Sequence, residues 1–556
     1  MSDSTGAGWL LDTLAANGVR HLFGNPGSTE LPILDAFLGR DSPQFFLGLH
    51  EMAVMGMADG FAQATGQLAA VNVHVQPGLA NAMAGILNAA RARVPLLVTV
   101  GQQMMELLPG DPFLGGELVA MAAPIAKGAV QVDRARDLPR TIVWAAKTAL
   151  THPRGPVVVS LPLDVQVATV RAPVGSLVAL PAPPPEESAI LAAAERLQMA
   201  RAPVILCGDG VAHAGAGPVL ARLAERLGAP ILAEPFAAQV AIDPVHPLWA
   251  GWLPGFASDI RTRLQGYDLV VAIGMPVFRL FGWSPGGPLA EGTELVHMDV
   301  DPNEVGKTIT PSVGLVGCPK RGLDALLEAL GPAGQGVQAR RNQVAGDISR
   351  SRRAARAATL IQTIGPQIGP AAFSAAVAQT VRPRDIIVEE SLTAARQLRT
   401  MVPRRAPGSW FSHRGSALGW GLPAAVGVKL ARPGRTVICL HGDGSLLFGV
   451  HALWSAAHHN APIAVVVADN GGYEILRAGL EGLTGRAQDA WPGLVTPGLS
   501  VETICQGFGA SAARVEHPTD LPEALMDLRR RASEGPAVLV ASVAGTTPPV
   551  GYRLPR

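Results

Sequence analysis

Val437-Ile-Cys-Leu-His-Gly-Asp-Gly-Ser445 is followed, after a helix-forming stretch, by Pro462-Ile-Ala-Val-Val-Val-Ala-Asp-Asn-Gly-Gly-Tyr473. Each segment is an apolar run that ends in glycine and a polar side chain, the pattern of a strand buried in a parallel sheet with a functional edge. A strand closing in Gly442-Asp443-Gly444-Ser445 exposes a carboxylate at the carboxyl end of the sheet, and its glycines let the backbone approach a ligand. The helix that follows aims its first amides at the same point, which suits a diphosphate. One strand-helix-strand step later, Asn470 brings a second oxygen. A hard cation such as Mg²⁺ takes six oxygens and shares them with phosphates and water; Asp443, Asn470 and a main-chain carbonyl near Gly472 could supply three. An isolated Gly-Asp-Gly is an ordinary turn. The chain carries such a copy at Gly208-Asp209-Gly210, with Phe236 where the partner Asn would stand, and that copy reads as a turn.

Outward from this segment the same alternation of short apolar runs and Ala/Leu-rich helical stretches fills the chain, so the fold class is α/β with doubly wound parallel sheets. Strand runs at His21 to Gly24, Phe45 to Leu49, Leu68 to Val75, Pro95 to Gly101 and Pro156 to Leu161 form a first unit. Those at Val204 to Cys207, Pro230 to Ala233, Leu269 to Ile273 and Leu295 to Asp299 form a second. Those at Ile386 to Val388, Val437 to Leu440, Ile463 to Ala468 and Val538 to Val543 form a third. The Pro-rich stretch Pro173 to Ser188 reads as a linker, and Gly331 to Gln367 as a second, partly helical connection. The expected domains are 1–180, 188–335 and 368–556, with no tandem repeat visible between them.

The chain has 556 residues, 48% hydrophobic and 16% charged, with 45 Lys+Arg against 44 Asp+Glu. Near-neutral charge argues against a nucleic-acid partner, and the apolar content against disorder. Mean hydropathy is +0.26, yet no run approaches the ~20 apolar residues of a membrane span. The start, Met1-Ser2-Asp3-Ser4, has no secretory pattern. Cys207, Cys318, Cys439 and Cys505 form no close pair. A cytoplasmic location with free thiols is the expectation.

Gly-Asp-Gly-Ser followed by Asn-Gly at the end of a second apolar strand resembles the signature of thiamin diphosphate-dependent 2-oxo acid decarboxylases, most closely the benzoylformate decarboxylases. Further matches are Asn25-Pro-Gly-Ser-Thr-Glu-Leu-Pro32, His50-Glu51 with Ala58-Asp59-Gly60, His74 with Asn81-Ala-Met83, Val98-Thr-Val-Gly-Gln-Gln103, Gly274-Met-Pro-Val-Phe-Arg279, and Leu418-Gly419 with Leu422-Pro-Ala-Ala425. The resemblance implies an aminopyrimidine-binding first domain, a Rossmann-like middle domain and a diphosphate- and Mg²⁺-binding last domain. It implies that Glu51 sits against the aminopyrimidine and shares the proton that activates the cofactor. It makes His74 a proton donor and sets Ser28 on the substrate carboxylate. Ser391, Thr393, Gly442, Gly444, Ser445 and Tyr473 would contact the cofactor, with Leu418 propping it into a bent shape. Asp443, Asn470 and Gly472 would hold the metal. It also implies sites shared between subunits, so a dimer at least and a tetramer as the expected assembly. The implied partner is a small 2-oxo acid or aldehyde.

Departures from that pattern concern the substrate pocket. Where the resemblance calls for a second active-site histidine, Arg279 is followed by Leu280 and Phe281. Past Tyr473 the pattern continues with a bulky aromatic pair, whereas this chain reads Ile475-Leu-Arg-Ala-Gly479: Ala478 and Gly479 open space, while Ile475 intrudes where the pattern has a smaller residue. His413, in Ser412-His-Arg-Gly415, could stand in for the missing base, although a surface-loop histidine is the plainer reading. Non-oxidative decarboxylation of an aromatic or bulky 2-oxo acid therefore competes with carboligation or lysis of 2-hydroxy ketones, as in acetolactate synthase or benzaldehyde lyase. A non-catalytic scaffold of the same fold is the remaining alternative. It would be marked by loss of Glu51, Asp443 or Asn470, and all three are present.

Overall fold

A computed structural model describes residues 4–361, 365–395, 397–402, 406–486 and 491–545. Three six-stranded, all-parallel sheets follow one another along the chain. The first holds β1 (His21–Asn25), β2 (Gln44–Leu47), β3 (Ala69–Val73), β4 (Leu96–Gln102), β5 (Gly128–Gln131) and β6 (Val157–Pro162), in the order β2-β1-β3-β4-β6-β5. The second holds β7 (Pro203–Cys207), β8 (Ile231–Ala233), β9 (Trp249–Trp252), β10 (Leu269–Ile273), β11 (Glu294–Asp299) and β12 (Val313–Val316), in the order β9-β8-β7-β10-β11-β12. The third holds β13 (Ile386–Glu390), β14 (Trp410–Ser412), β15 (Val437–Gly442), β16 (Ala464–Asp469), β17 (Ser511–Val515) and β18 (Ala537–Ser542), in the order β14-β13-β15-β16-β18-β17. The first and third sheets therefore have the same strand order, a repeat of topology that leaves no trace in the sequence. In both, the third strand in chain order lies next to the first, so their loops share one edge.

The central strands are buried throughout because helices cover both faces of each sheet, which explains their unbroken Val/Ile/Leu composition. Helix α1 (Glu51–Thr65) joins β2 to β3, and α3 (Gly421–Ala431) joins β14 to β15, so the two hold equivalent places. They lie against each other with backbones in contact. A Cβ at Gly60 would fall 2.2 Å from the carbonyl oxygen of Ala424, and one at Gly427 would fall 1.9 Å from that of Met57. Glycine is thus needed at the contact that joins the first and third units in one core. Helix α2 (Val75–Arg91) follows β3. The stretch between Ala172 and Pro185 has neither helix nor strand, and the second connection contains a helix over Val337–Ile361.

The Gly208-Asp209-Gly210 copy is more than a turn. It opens a short helix over Asp209–His213, and the buried Asp209 and Glu234 both bind Arg414 of the third unit. The guanidinium donates to Asp209 and, at 2.8 and 2.7 Å, to the two oxygens of Glu234. Every side chain of the triad is at most 6% exposed. Arg414→Gln would leave two buried carboxylates facing each other, and chemical denaturation should show a loss of about 3 kcal/mol.

Among the described residues no helix is long and apolar enough to cross a membrane. All four cysteines are free thiols, with Cys207, Cys439 and Cys505 buried.

Candidate active site

At the carboxyl edge of the first sheet, Glu51 begins α1 because the His50 ring accepts the Met52 amide at 3.1 Å and caps the helix. A carboxylate in the first turn also suits the helix dipole. Glu51 is buried. Its oxygens accept from the Asn81 amide at 3.0 Å and from the Asn25 amide at 3.4 Å. His74 stands one residue beyond β3, at the N-cap of α2, rather than inside the strand as the run Leu68 to Val75 suggests.

The His74 ring is held by a residue that the sequence reading left without a role. Glu30, fully buried, accepts from His74 Nδ1 at 2.8 Å, from the Thr29 hydroxyl at 2.7 Å and from the Gly27 amide at 2.8 Å. An ionised carboxylate only accepts, so Nδ1 carries a proton and Nε2 is left to take or give one. Gly27 is required here, since a Cβ would lie 2.2 Å from His74 Nδ1. Ser28, on the same turn, is exposed. In the chain Glu30 stands five residues beyond the end of β1 and two after Ser28, and nothing in that spacing marks its contact with His74.

At the edge of the third sheet, Gly442 ends β15 and caps the short helix Asp443–Leu447. Asp443 is buried, and burial together with the nearby charge of Asp469 pushes its carboxyl up to about 6, against the pull of the Gly444 and Gly472 amides that face it. Asp469, at the end of β16, is also absent from the sequence reading. It accepts from the Gly471 amide at 3.1 Å and pairs with Arg514 at 2.7 Å. Asp443 Oδ2 and Asn470 Oδ1 are both buried without a hydrogen-bond partner among the described residues. Two orphaned, acceptor-only oxygens beside a second carboxylate are the donor set a divalent cation would satisfy. The Tyr473 ring lies against Gly444, with its edge carbon 2.6 Å from where a Cβ would sit.

Ser391, buried, follows directly on β13, and Thr393 is half-buried two residues later. Leu418 is half-buried on the turn before α3. Helix α4 (Glu474–Thr484) buries Ala478 and Gly479, while Ile475 is half-buried on its first turn. Phe281 belongs to the second unit, where it packs on Phe236 and Phe256 with ring centroids 6.4 and 5.7 Å apart. His413 is not a surface-loop histidine. Its Nδ1 is enclosed without a partner among the described residues, and burial plus the charge of Arg399 lowers the ring to about 4, so it is neutral at working pH.

The structure thus gathers the candidate residues into two groups. Ser28, Glu51 and His74 sit on the edge of the first sheet. Ser391, Thr393, Gly442, Asp443, Gly444, Ser445, Asn470, Gly472 and Tyr473 sit on the edge of the third. Three consecutive parallel-sheet units of this kind are the domain arrangement of a cofactor-binding enzyme class. The chain belongs to the thiamine pyrophosphate enzymes: residues 4–120 match the N-terminal TPP binding domain, 190–326 the central domain and 392–541 the C-terminal TPP binding domain. It is 36% identical to benzoylformate decarboxylase of Pseudomonas aeruginosa, over 92% of this chain and 94% of that one. It is 28% identical to the acetolactate synthase large subunit of Haemophilus influenzae, over 84% and 83% of the two chains. Among solved structures, benzoylformate decarboxylase from Polynucleobacter necessarius superposes with a TM-score of 0.88 at 28% identity, covering 98% of this chain and all of that one.

Proposed function

We propose that this enzyme releases CO₂ from an aromatic or bulky 2-oxo acid of the benzoylformate kind and returns the aldehyde, using thiamin diphosphate and Mg²⁺. The observation that carries the reading is the His74–Glu30 pair, a histidine with one nitrogen fixed on a buried carboxylate and the other available for a proton. Similarity to benzoylformate decarboxylases over nearly the full chain supports the same substrate class.

When bound, the cofactor supplies the sink for the electron pair that departing CO₂ leaves behind. The protein places and moves protons around it. Glu51 would exchange a proton with the aminopyrimidine, Ser28 would hold the substrate carboxylate, and His74 Nε2 would return a proton before the aldehyde leaves. Asp443, Asn470 and the main chain at Gly472 would hold Mg²⁺, and the amides of Gly442 to Ser445 would offer donors to the diphosphate, the metal supplying the charge that offsets it. Ser391, Thr393 and Tyr473 would line that end, and Leu418 would support the cofactor. Phe281, Ile475 and Gly479 shape the substrate end.

The working unit in this reading is a dimer or tetramer, with the first-sheet edge of one subunit meeting the third-sheet edge of another. Large apolar side chains stand exposed beside both edges, including Leu49 at 43%, Leu392 at 46%, Phe448 at 51% and Leu476 at 52%. Such residues are expected where a second copy covers them. The free thiols fit a reducing cytoplasm.

A second reading has a specific observation in its favour. Phe281, 47% exposed, gives an apolar wall where a second histidine would protonate, and slower protonation leaves time for a second aldehyde to react. Incubation of the holoenzyme with a panel of 2-oxo acids, with and without excess acetaldehyde, tests both. Benzaldehyde and CO₂ from benzoylformate in either condition are the expected products. A 2-hydroxy ketone as main product would move the assignment to carboligation, and no CO₂ from any aryl 2-oxo acid would overturn the proposal.

A further inference from the structure

Glu390 takes no part in the chemistry assigned above, yet it is almost fully buried at the end of β13, between the two loops that would grip the cofactor. Its carboxylate faces the turn carrying Leu418. Oε1 accepts the Gly419 amide at 2.6 Å and Oε2 accepts the Gly421 amide, and the Trp420 amide also points at the group. Its main-chain carbonyl faces the other way and accepts the Ser445 hydroxyl at 3.4 Å, inside the Gly442 to Ser445 loop. The neighbouring strand supports the same join. His441 pairs in register with Glu390, with Nδ1 3.1 Å from Ser445 Oγ and Nε2 4.0 Å from Glu390 Oε2.

We infer that Glu390 is a positioning residue that fixes the Leu418 turn relative to the Gly442 to Ser445 loop, and so sets how far the supporting side chain reaches toward a cofactor anchored at its diphosphate. This rests on the reading of Leu418 as that support. A carboxyl group is needed because two oxygens must each accept a main-chain N–H. Glutamine offers one acceptor and turns its NH₂ toward the other donor, so one end of the turn would be pushed away.

The test is a double-mutant cycle on the holoenzyme with Glu390→Gln and Leu418→Ala, together with cofactor binding by fluorescence titration. Apoprotein amide exchange over residues 417–423 completes it. Glu390→Gln should lower kcat at least tenfold while the Kd for thiamin diphosphate stays within about threefold, and amide exchange at Gly419 to Gly421 should quicken about tenfold or more. Because Glu390 acts through Leu418, the double variant should be within about twofold of Leu418→Ala alone. Multiplying losses, or wild-type kcat in Glu390→Gln beside a slow Leu418→Ala, would overturn the role of Glu390. Wild-type kcat in Leu418→Ala would instead remove the reading beneath it, and the proposal with it. Should Glu390→Gln fail to fold, Glu390→Asp keeps both oxygens but draws them back by one methylene, and the same kcat loss and coupling are expected of it.

Discussion

Replacing Glu51 by glutamine is expected to lower turnover by about 10³-fold, the scale of a lost proton-transfer group, while the protein melts within a degree or two of the parent. The fold should survive because glutamine fills the same volume. Asn81, which now donates to Glu51 at 3.0 Å, can turn its own amide to meet the new one, and Asn25 at 3.4 Å is a looser partner. Activity is what cannot survive, since an amide exchanges no proton with a pyrimidine nitrogen. Steady-state kinetics beside thermal unfolding decide the matter: near-parental turnover in a well-folded variant would remove Glu51 from the mechanism.

Asp443→Asn should separate binding from stability in opposite directions. In the metal-free protein, burial and Asp469 hold the Asp443 carboxyl at about 6, against an ordinary 3.8. Between these values the folded chain keeps a proton that the unfolded chain has released. Stability contributed by the protonated group is therefore lost as pH rises through that window, and the full penalty stands above about pH 6. Two pH units correspond to roughly 3 kcal/mol. The apo variant should accordingly be more stable than the apo parent at pH 7, by an amount of that order, and the two should converge near pH 4. With Mg²⁺ and thiamin diphosphate the order reverses. Ligand at about a thousand times its Kd stabilises the parent by ~4 kcal/mol, and the variant should gain almost none of it. Equal cofactor-induced shifts in parent and variant would show that Asp443 holds no metal.

The fold was legible wherever strands are covered on both faces. Val437 to Leu440 and Leu269 to Ile273 are continuous apolar runs because helices press on them from two sides. Apart from Gln44–Leu47, strands at the rims escaped the reading: Gly128–Gln131, Trp249–Trp252, Val313–Val316, Trp410–Ser412 and Ser511–Val515. Each is short, and those such as Gly128–Gln131 and Ser511–Val515 mix small and polar residues because a rim strand is less covered. The same contrast runs through the site. Asp443 and Asn470 were visible because glycines flank them at strand ends. Glu30, Asp469 and Glu390 were not, since each acts on another residue through a contact that only the folded chain creates. His413 and Asp209 are the reverse case: polar, Gly-containing sequence reads as a surface loop for one and a turn for the other, yet His413 Nδ1 is enclosed and Asp209 is buried against Arg414 of the third unit.

The shared strand order of the first and third sheets puts corresponding positions to opposite uses. Ser28 and Ser391 both follow the first strand of their sheet, and His74 and Gly442 both mark the end of the third. Under the proposed function, one scaffold used twice would present proton handling on one copy and anion anchoring on the other. In that reading the two tasks are separable: loops of the first copy can be exchanged to alter proton handling while the anchoring copy keeps its grip. It also confines loss of cofactor binding to the third unit, whereas variants that bind without turning over can arise in either, Glu51→Gln in the first and Glu390→Gln in the third.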